Sequence, residues 1–184
     1  MFTRILLIAS VSLFAASGFS AEDRNVTQYN LEGKLALKGY DPVSFFPEGG
    51  ERPAAGTARF QEDYKGVTYL FSSQQNRDLF FQNPDKYEPT YGGWCAWAMA
   101  NGSKVDIRVE HYVIYRNRIH FFVGNRPLRR FVGRRLLSEL ERAGTRVITD
   151  EILSRADHDD IDMYEARADE NWKSISGESA RGLD

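Results

Sequence analysis

Apolar and polar positions change rhythm several times along the chain, and each change predicts an element. Ile5 to Ala16 is apolar except for Ser10 and Ser12, follows Arg4, and gives way to small residues through Ser20. That order predicts a secretory signal peptide over residues 1–20, with cleavage after Gly18 or Ser20. The apolar run is about a dozen residues, whereas a helix needs about 20 to cross a bilayer. Residues 21–30 are polar and predict a tether. Leu31, Gly33, Leu35 and Leu37 alternate with polar neighbours, so one short strand is expected before Gly39-Tyr40-Asp41-Pro42, where proline fixes its own φ and pushes Asp41 away from helical geometry. Thr57 to Gln61 and Gly66 to Ser73 predict a hairpin turning at Lys65-Gly66, with Val67, Tyr69 and Phe71 on one face. Ser73 is placed to cap a helix that ends before Asn83-Pro84.

The second half is equally patterned. Tyr112 to Tyr115 and Ile119 to Val123 flank Arg116-Asn117-Arg118 as a second hairpin. Leu128, Phe131, Val132, Leu136, Leu137 and Leu140 recur at helical spacing and predict one helix from Pro127 to Ala143. Further helices are expected near 149–156 and 159–174, the latter with Ile161, Tyr164, Ala168 and Trp172 on one stripe. Residues 177–184 predict a disordered tail. The fold class is therefore α+β: a small antiparallel β-sheet with a short helix over 31–125, then a helical C-terminal extension over 126–176.

Composition narrows the function classes. The chain has 184 residues, 42% hydrophobic and 13% aromatic, which suits one folded domain. Its 24 Lys and Arg are offset by 26 Asp and Glu, a balance that argues against a dedicated nucleic-acid binder. The single cysteine, Cys95, excludes an intramolecular disulfide and a cysteine-rich zinc site built from this chain. The sequence holds no nucleophile elbow, no His-Glu-x-x-His pair, no phosphate-cradling glycine loop and no CxxC, so an unrecognised enzyme is only a third reading.

Five motifs in order carry a resemblance. Gly39-Tyr40-Asp41-Pro42-Val43-Ser44-Phe45-Phe46 is followed by Tyr64-x-Gly66-x-x-Tyr69-x-Phe71-Ser72-Ser73 and Asn76-Arg77-Asp78-x-Phe80. Asn83-Pro84-x-x-Tyr87 and Pro89-x-Tyr91-Gly92-Gly93-Trp94-Cys95-Ala96 complete the set. Over residues 33–125 the chain resembles the exported YHS-domain proteins of bacteria, and Ala168-Asp169-x-Asn171-Trp172 resembles the end of those chains. Arg130 to Ala166 departs from the shorter family ending and reads as an elaboration. Metal-binding relatives carry cysteines in the strand-to-helix segment, after the aromatic and again four residues on. Here those places hold Ser72 and Asn76, so the resemblance implies that the family zinc site is not expected.

The chemistry of Cys95 stays open. Tyr40, Asp41, Tyr91 and Trp94 lie in the glycine- and aromatic-rich motifs and are, with Cys95, the candidate ligand-binding residues. If a helix begins after Gly93, Cys95 and Met99 share a face, a soft pair suited to copper(I) or another soft metal, with His111 or His120 as a third ligand. The competing readings are a thiol buried as a small hydrophobe beside a gap-filling Met99, and a redox thiol. Asp41 has the simpler role of accepting from turn N–H groups, and His120, opposite Ile119 and Phe121, that of a solvated or hydrogen-bonded imidazole. Asp157-His158-Asp159-Asp160-Ile161-Asp162 lacks the central glycine of a calcium loop and reads as an acidic helix N-terminus.

Arg126, Arg129, Arg130, Arg134 and Arg135 gather at the start of the Leu128 helix. They form either a surface for an anionic membrane or acidic partner, or a solvated face paired with Glu139 or Glu141. Export speaks against nucleic acid as the partner. The expectation is an exported, periplasmic or secreted, non-catalytic module that binds a soft metal ion or small ligand near Cys95. The alternative is a structural module docking an envelope protein or anionic surface through the arginines.

Overall fold

The computed structural model describes residues 24–182, so the predicted signal peptide and the first residues of the tether lie outside the described residues. β1 (Leu31–Glu32) and β2 (Leu35–Ala36) form a tight hairpin instead of one strand, because Gly33 takes a φ of 67° and folds the alternating segment back on itself. Asp41 then caps a 3-10 turn over Pro42–Phe45. β3 (Thr57–Tyr64) and β4 (Val67–Phe71) make the expected hairpin. Ser73 Oγ accepts from the Asn76 N–H at 3.1 Å and starts α1 (Gln74–Gln82), after which Asn83 caps α2 (Pro84–Tyr87). α3 (Ala96–Ala100) precedes the hairpin of β5 (Arg108–Tyr115) and β6 (Arg118–Phe122), whose turn residues Arg116 and Asn117 both adopt positive φ.

The single helix expected from Pro127 to Ala143 is two helices. α4 (Asn125–Val132) and α5 (Arg134–Ala143) part at Gly133, whose φ of 85° lies outside helical space. β7 (Val147–Ile148), the short α6 (Asp150–Leu153) and the long α7 (Asp159–Ser176) complete the chain. The class is α+β with a helical C-terminal part. One sheet has the order β1-β2-β4-β3 and the other β6-β5-β7, each antiparallel except for one parallel pair, β2 with β4 and β5 with β7. Among the described residues, no helix is long and apolar enough to cross a membrane.

The C-terminal helices share the core of the sheets. Ile161, Ala168 and Trp172 of α7 belong to one cluster with Cys95, Met99, Phe121 and Phe122, and Phe131 and Leu136 join it from α4 and α5. Both ends of the described residues are also tied down, at 24–30 where the sequence predicts a tether and at 177–182 where it predicts a tail. Buried Glu88 accepts from Arg24 and from the Tyr69 hydroxyl at 2.7 Å, and lies 3.4 Å from Arg181. Glu178 accepts from the Asn25 N–H, from the Tyr29 hydroxyl at 2.6 Å and from Arg181 at 2.8 Å. Composition read both ends as polar and free, but their charges are paired with one another and with the core edge.

Gly92 shows how closely α7 is packed. Its φ is 57°, and a Cβ there would stand 2.8 Å from the Trp172 ring. Gly102 has a similar φ of 70° with open space around it. Gly92→Ala is therefore expected to lose about 2–3 kcal/mol through strain and overpacking together. Gly102→Ala feels strain alone and is expected to lose about 1 kcal/mol. Urea midpoints compare the two; equal losses would contradict the packing of α7 onto the Gly92 turn.

Candidate functional site

Cys95 caps the start of α3 and is fully buried, its N–H donating to Val105 O at 3.0 Å while its backbone bridges Phe121. Met99, one turn on, is equally buried. Among the described residues no three His, Cys, Asp or Glu side chains group as a metal site. His111 shares an open cleft of about 610 Å³ with Tyr40 and Lys38, and His120 is engaged by Glu165. The β5–β6 hairpin sends the two histidines offered as alternative third ligands to different surroundings, His111 to the open cleft and His120 to Glu165. The ligand candidates also diverge. Asp41 and Tyr91 are buried, Tyr40 borders the open cleft, and half-buried Trp94 donates its Nε1–H to Gln28 O at 2.6 Å.

The places where the resemblance puts metal-binding cysteines hold a hydrogen-bonded carboxylate box. Asp41 Oδ1 accepts from the Val43 N–H at 2.9 Å. Its Oδ2 accepts from the Ser72 N–H at 2.8 Å, the Ser72 hydroxyl at 2.6 Å and Asn76 Nδ2 at 2.6 Å. Hydroxyl and amide donors spent on a buried carboxylate do not fit a soft metal, which takes thiolate, thioether or imidazole. The box instead fastens the Tyr40-Asp41-Pro42 turn to the β4–α1 junction.

His120 is fully buried. β6 is buried along its whole length, with α7 packed against its charged face. Arg118 and His120 stand two residues apart on β6, while Glu165 and Asp169 stand four apart on α7, so each pair shares a face. Glu165 Oε1 accepts from His120 Nε2 at 2.8 Å and forms an ion pair with Arg118 at 2.9 Å. Asp169 accepts from two guanidinium nitrogens of Arg118 and, at 3.1 Å, from the Tyr91 hydroxyl. The imidazole lies between Tyr91 and Phe131 at ring distances of 5.7 and 5.5 Å, and its Nδ1 has no partner among the described residues. Burial alone would raise the pKa of Glu165, but His120 and the arginines outweigh it and hold the carboxyl below its ordinary value. Burial and Asp169 push the Tyr91 hydroxyl well up. The cluster is sealed, and it anchors α7 to the sheet.

The accessible chemistry lies elsewhere. α4, α5, the start of α7 and Trp97 of α3 enclose a cleft of about 840 Å³ lined by the five arginines Arg126, Arg129, Arg130, Arg134 and Arg135. None of the five makes an ion pair among the described residues, and Glu139 is taken by Arg142. Arg134 and Arg135 open α5, whose first turn has no acidic residue and no side-chain cap. Cations at that end of a helix oppose its dipole, at a cost of about 0.3–1 kcal/mol each. Arg130 stacks on Trp97 with its guanidinium carbon 5.6 Å from the ring centroid, and Trp97 meets Tyr164 edge-on at 4.6 Å. Stacking fixes the guanidinium plane and leaves its N–H edges for an anion.

Asp157, Asp159 and Asp160 form the facing wall. A Cβ on Gly133 would stand 3.0 Å from Asp160 Oδ2, so the glycine both breaks the helix and admits the acidic start of α7. The sequence pattern shows the arginines but not their cleft: Tyr164 falls on the apolar stripe of its helix, and the aspartates read as partners of the helix dipole. The available signal was Gly133 inside a helical apolar pattern.

A YHS domain is found at residues 55–91. No curated protein and no solved structure matches the chain. The matched segment contains Ser72, Asn76, Glu88 and Tyr91, whereas Cys95 and every residue of the arginine cleft lie beyond it.

The buried cluster gives stability a definite pH dependence. Folding holds Glu165 below its ordinary value of 4.5, so the unfolded chain takes up this proton first as pH falls. The contribution is complete above about pH 4.5 and is lost as pH drops towards the folded value. Glu165→Gln removes the buried carboxylate that Arg118 shares with Asp169 and that accepts from His120 Nε2. The expected loss is about 3 kcal/mol at neutral pH, with a shallower decline in acid. Urea unfolding across the acid range tests this, and an unchanged acid limb in the variant would contradict it.

Proposed function

We propose that the protein is an exported, non-catalytic binding module that holds an anionic ligand in the cleft between α4, α5 and α7. One observation carries the reading: five arginines, unpaired among the described residues, converge on a single cleft. Placing them together costs mutual repulsion, and an anion relieves it through charge-assisted hydrogen bonds. The volume of about 840 Å³ falls within the range of small-ligand sites. Neither Cys95 nor His120 lines the cleft, which supports binding over turnover. Export rests on the order of residues 1–20, a cation, an apolar run and small residues.

Inorganic phosphate is a suitable first probe. In a chemical-shift titration, amides of 126–135 and the Trp97 indole are expected to move together and saturably, with affinity falling as salt is added. Arg129→Gln/Arg130→Gln is expected to weaken binding at least about 10-fold, since charged hydrogen bonds contribute about 1.5–3 kcal/mol each. Shifts scattered over the surface, or an affinity unmoved in the double variant, would refute the reading.

A further inference from the structure

The two walls of the arginine cleft carry opposite charge without neutralising each other. Five arginines face Asp157, Asp159 and Asp160, and no ion pair joins the walls among the described residues. Asp157 Oδ1 is occupied by the Asp159 N–H at 3.0 Å. The carboxylates of Asp159 and Asp160 are exposed and make no hydrogen bond among the described residues. The Gly133 break keeps this arrangement in place, setting Asp160 against the junction where Arg134 and Arg135 begin α5.

Opposed rows held apart act as two half-sites. The guanidinium edges take phosphate oxygens in pairs, while ionised carboxylates only accept, and so call for a donor such as a hydroxyl. Five arginines against three aspartates leave an excess of two positive charges. Resting on the anion-binding reading above, we infer that the cleft takes a phosphorylated polyhydroxyl compound, a sugar phosphate. Its phosphate lies on the arginine wall and its hydroxyls donate to Asp159 and Asp160. A phosphomonoester carries about −1.5 to −2 at neutral pH, which matches the excess. A zwitterion bearing an ammonium would leave part of that excess uncompensated, and inorganic phosphate has no hydroxyls beyond those on its own phosphorus to reach the opposite wall.

The acidic wall allows a test in which two explanations differ in sign. Removing negative charge makes the cleft more positive, so Coulomb attraction alone predicts tighter binding of every anion to Asp159→Asn/Asp160→Asn. Recognition of hydroxyls predicts weaker binding of sugar phosphates only. Glucose 6-phosphate, inorganic phosphate and glucose are titrated into the full chain and the double variant, with urea midpoints confirming that both are folded. Wild type is expected to prefer glucose 6-phosphate over inorganic phosphate by about 10-fold, a difference of about 1.4 kcal/mol. The variant is expected to lose that preference while binding inorganic phosphate no more weakly. Equal wild-type affinity for the two phosphates, or a variant that binds both more tightly in parallel, overturns the sugar-phosphate assignment and leaves the anion site standing. Failure of both phosphates to bind overturns the anion site as well.

Discussion

Glu165 buried between Arg118 and His120 is the contact on which the rest of the arrangement depends. Each charge taken out of water costs several kcal/mol, and only partners with good geometry offset it. The geometry here comes from two periodicities meeting. Residues two apart on β6 face residues four apart on α7, and Asp169 closes the far side of the Arg118 guanidinium. A shift of β6 by one residue would turn Arg118 and His120 away from α7 and leave Glu165 buried without them. The register of helix on strand is thereby specified more sharply than apolar contacts could manage.

That register carries the accessible site. Tyr164 precedes Glu165, so fixing the carboxylate also fixes the ring that meets Trp97 and, 6.1 Å away, Phe131 of α4. Upstream on α7, Asp159 and Asp160 are brought over Gly133, where the chain has just turned from α4 into α5. The sealed cluster and the open cleft therefore sit on two stretches of one helix. The Asp41 box with Ser72 and Asn76 performs a similar anchoring task within the segment that matches the YHS domain. A place that accommodates thiolates in metal-binding relatives here holds a turn, and the accessible charge lies in the later helices.

Much of this was legible in the residues. The Lys65-Gly66 and Arg116-Asn117 turns, the Ser73 cap and the stripe on α7 followed from local chemistry, which acts within a few residues. Gly33 and Gly133 were passed over because apolar periodicity continues through both, and a positive φ leaves no trace in that rhythm. The pairing of the two ends of the described residues was hidden for a different reason. Arg24, Glu88 and Arg181 are far apart in sequence, and pairing among distant charges is invisible to spacing. For the same reason the cluster of Arg118, Glu165 and Asp169 leaves no mark in the spacing, whereas a hydrogen-bonded imidazole at His120 is one of the two readings its strand position allows. The basic cluster was visible, but its aromatic and acidic walls required α3 and α7 to be placed against it.

Native-state amide hydrogen exchange tests most directly whether α7 is part of the sheet's own cooperative unit. With the Glu165 junction as described, protected amides of α7 and of β5–β6 open together, with one free energy and one dependence on denaturant. An α7 that exchanges at much lower free energy while the β5–β6 hairpin stays protected would show a separately docked extension, and would contradict the account.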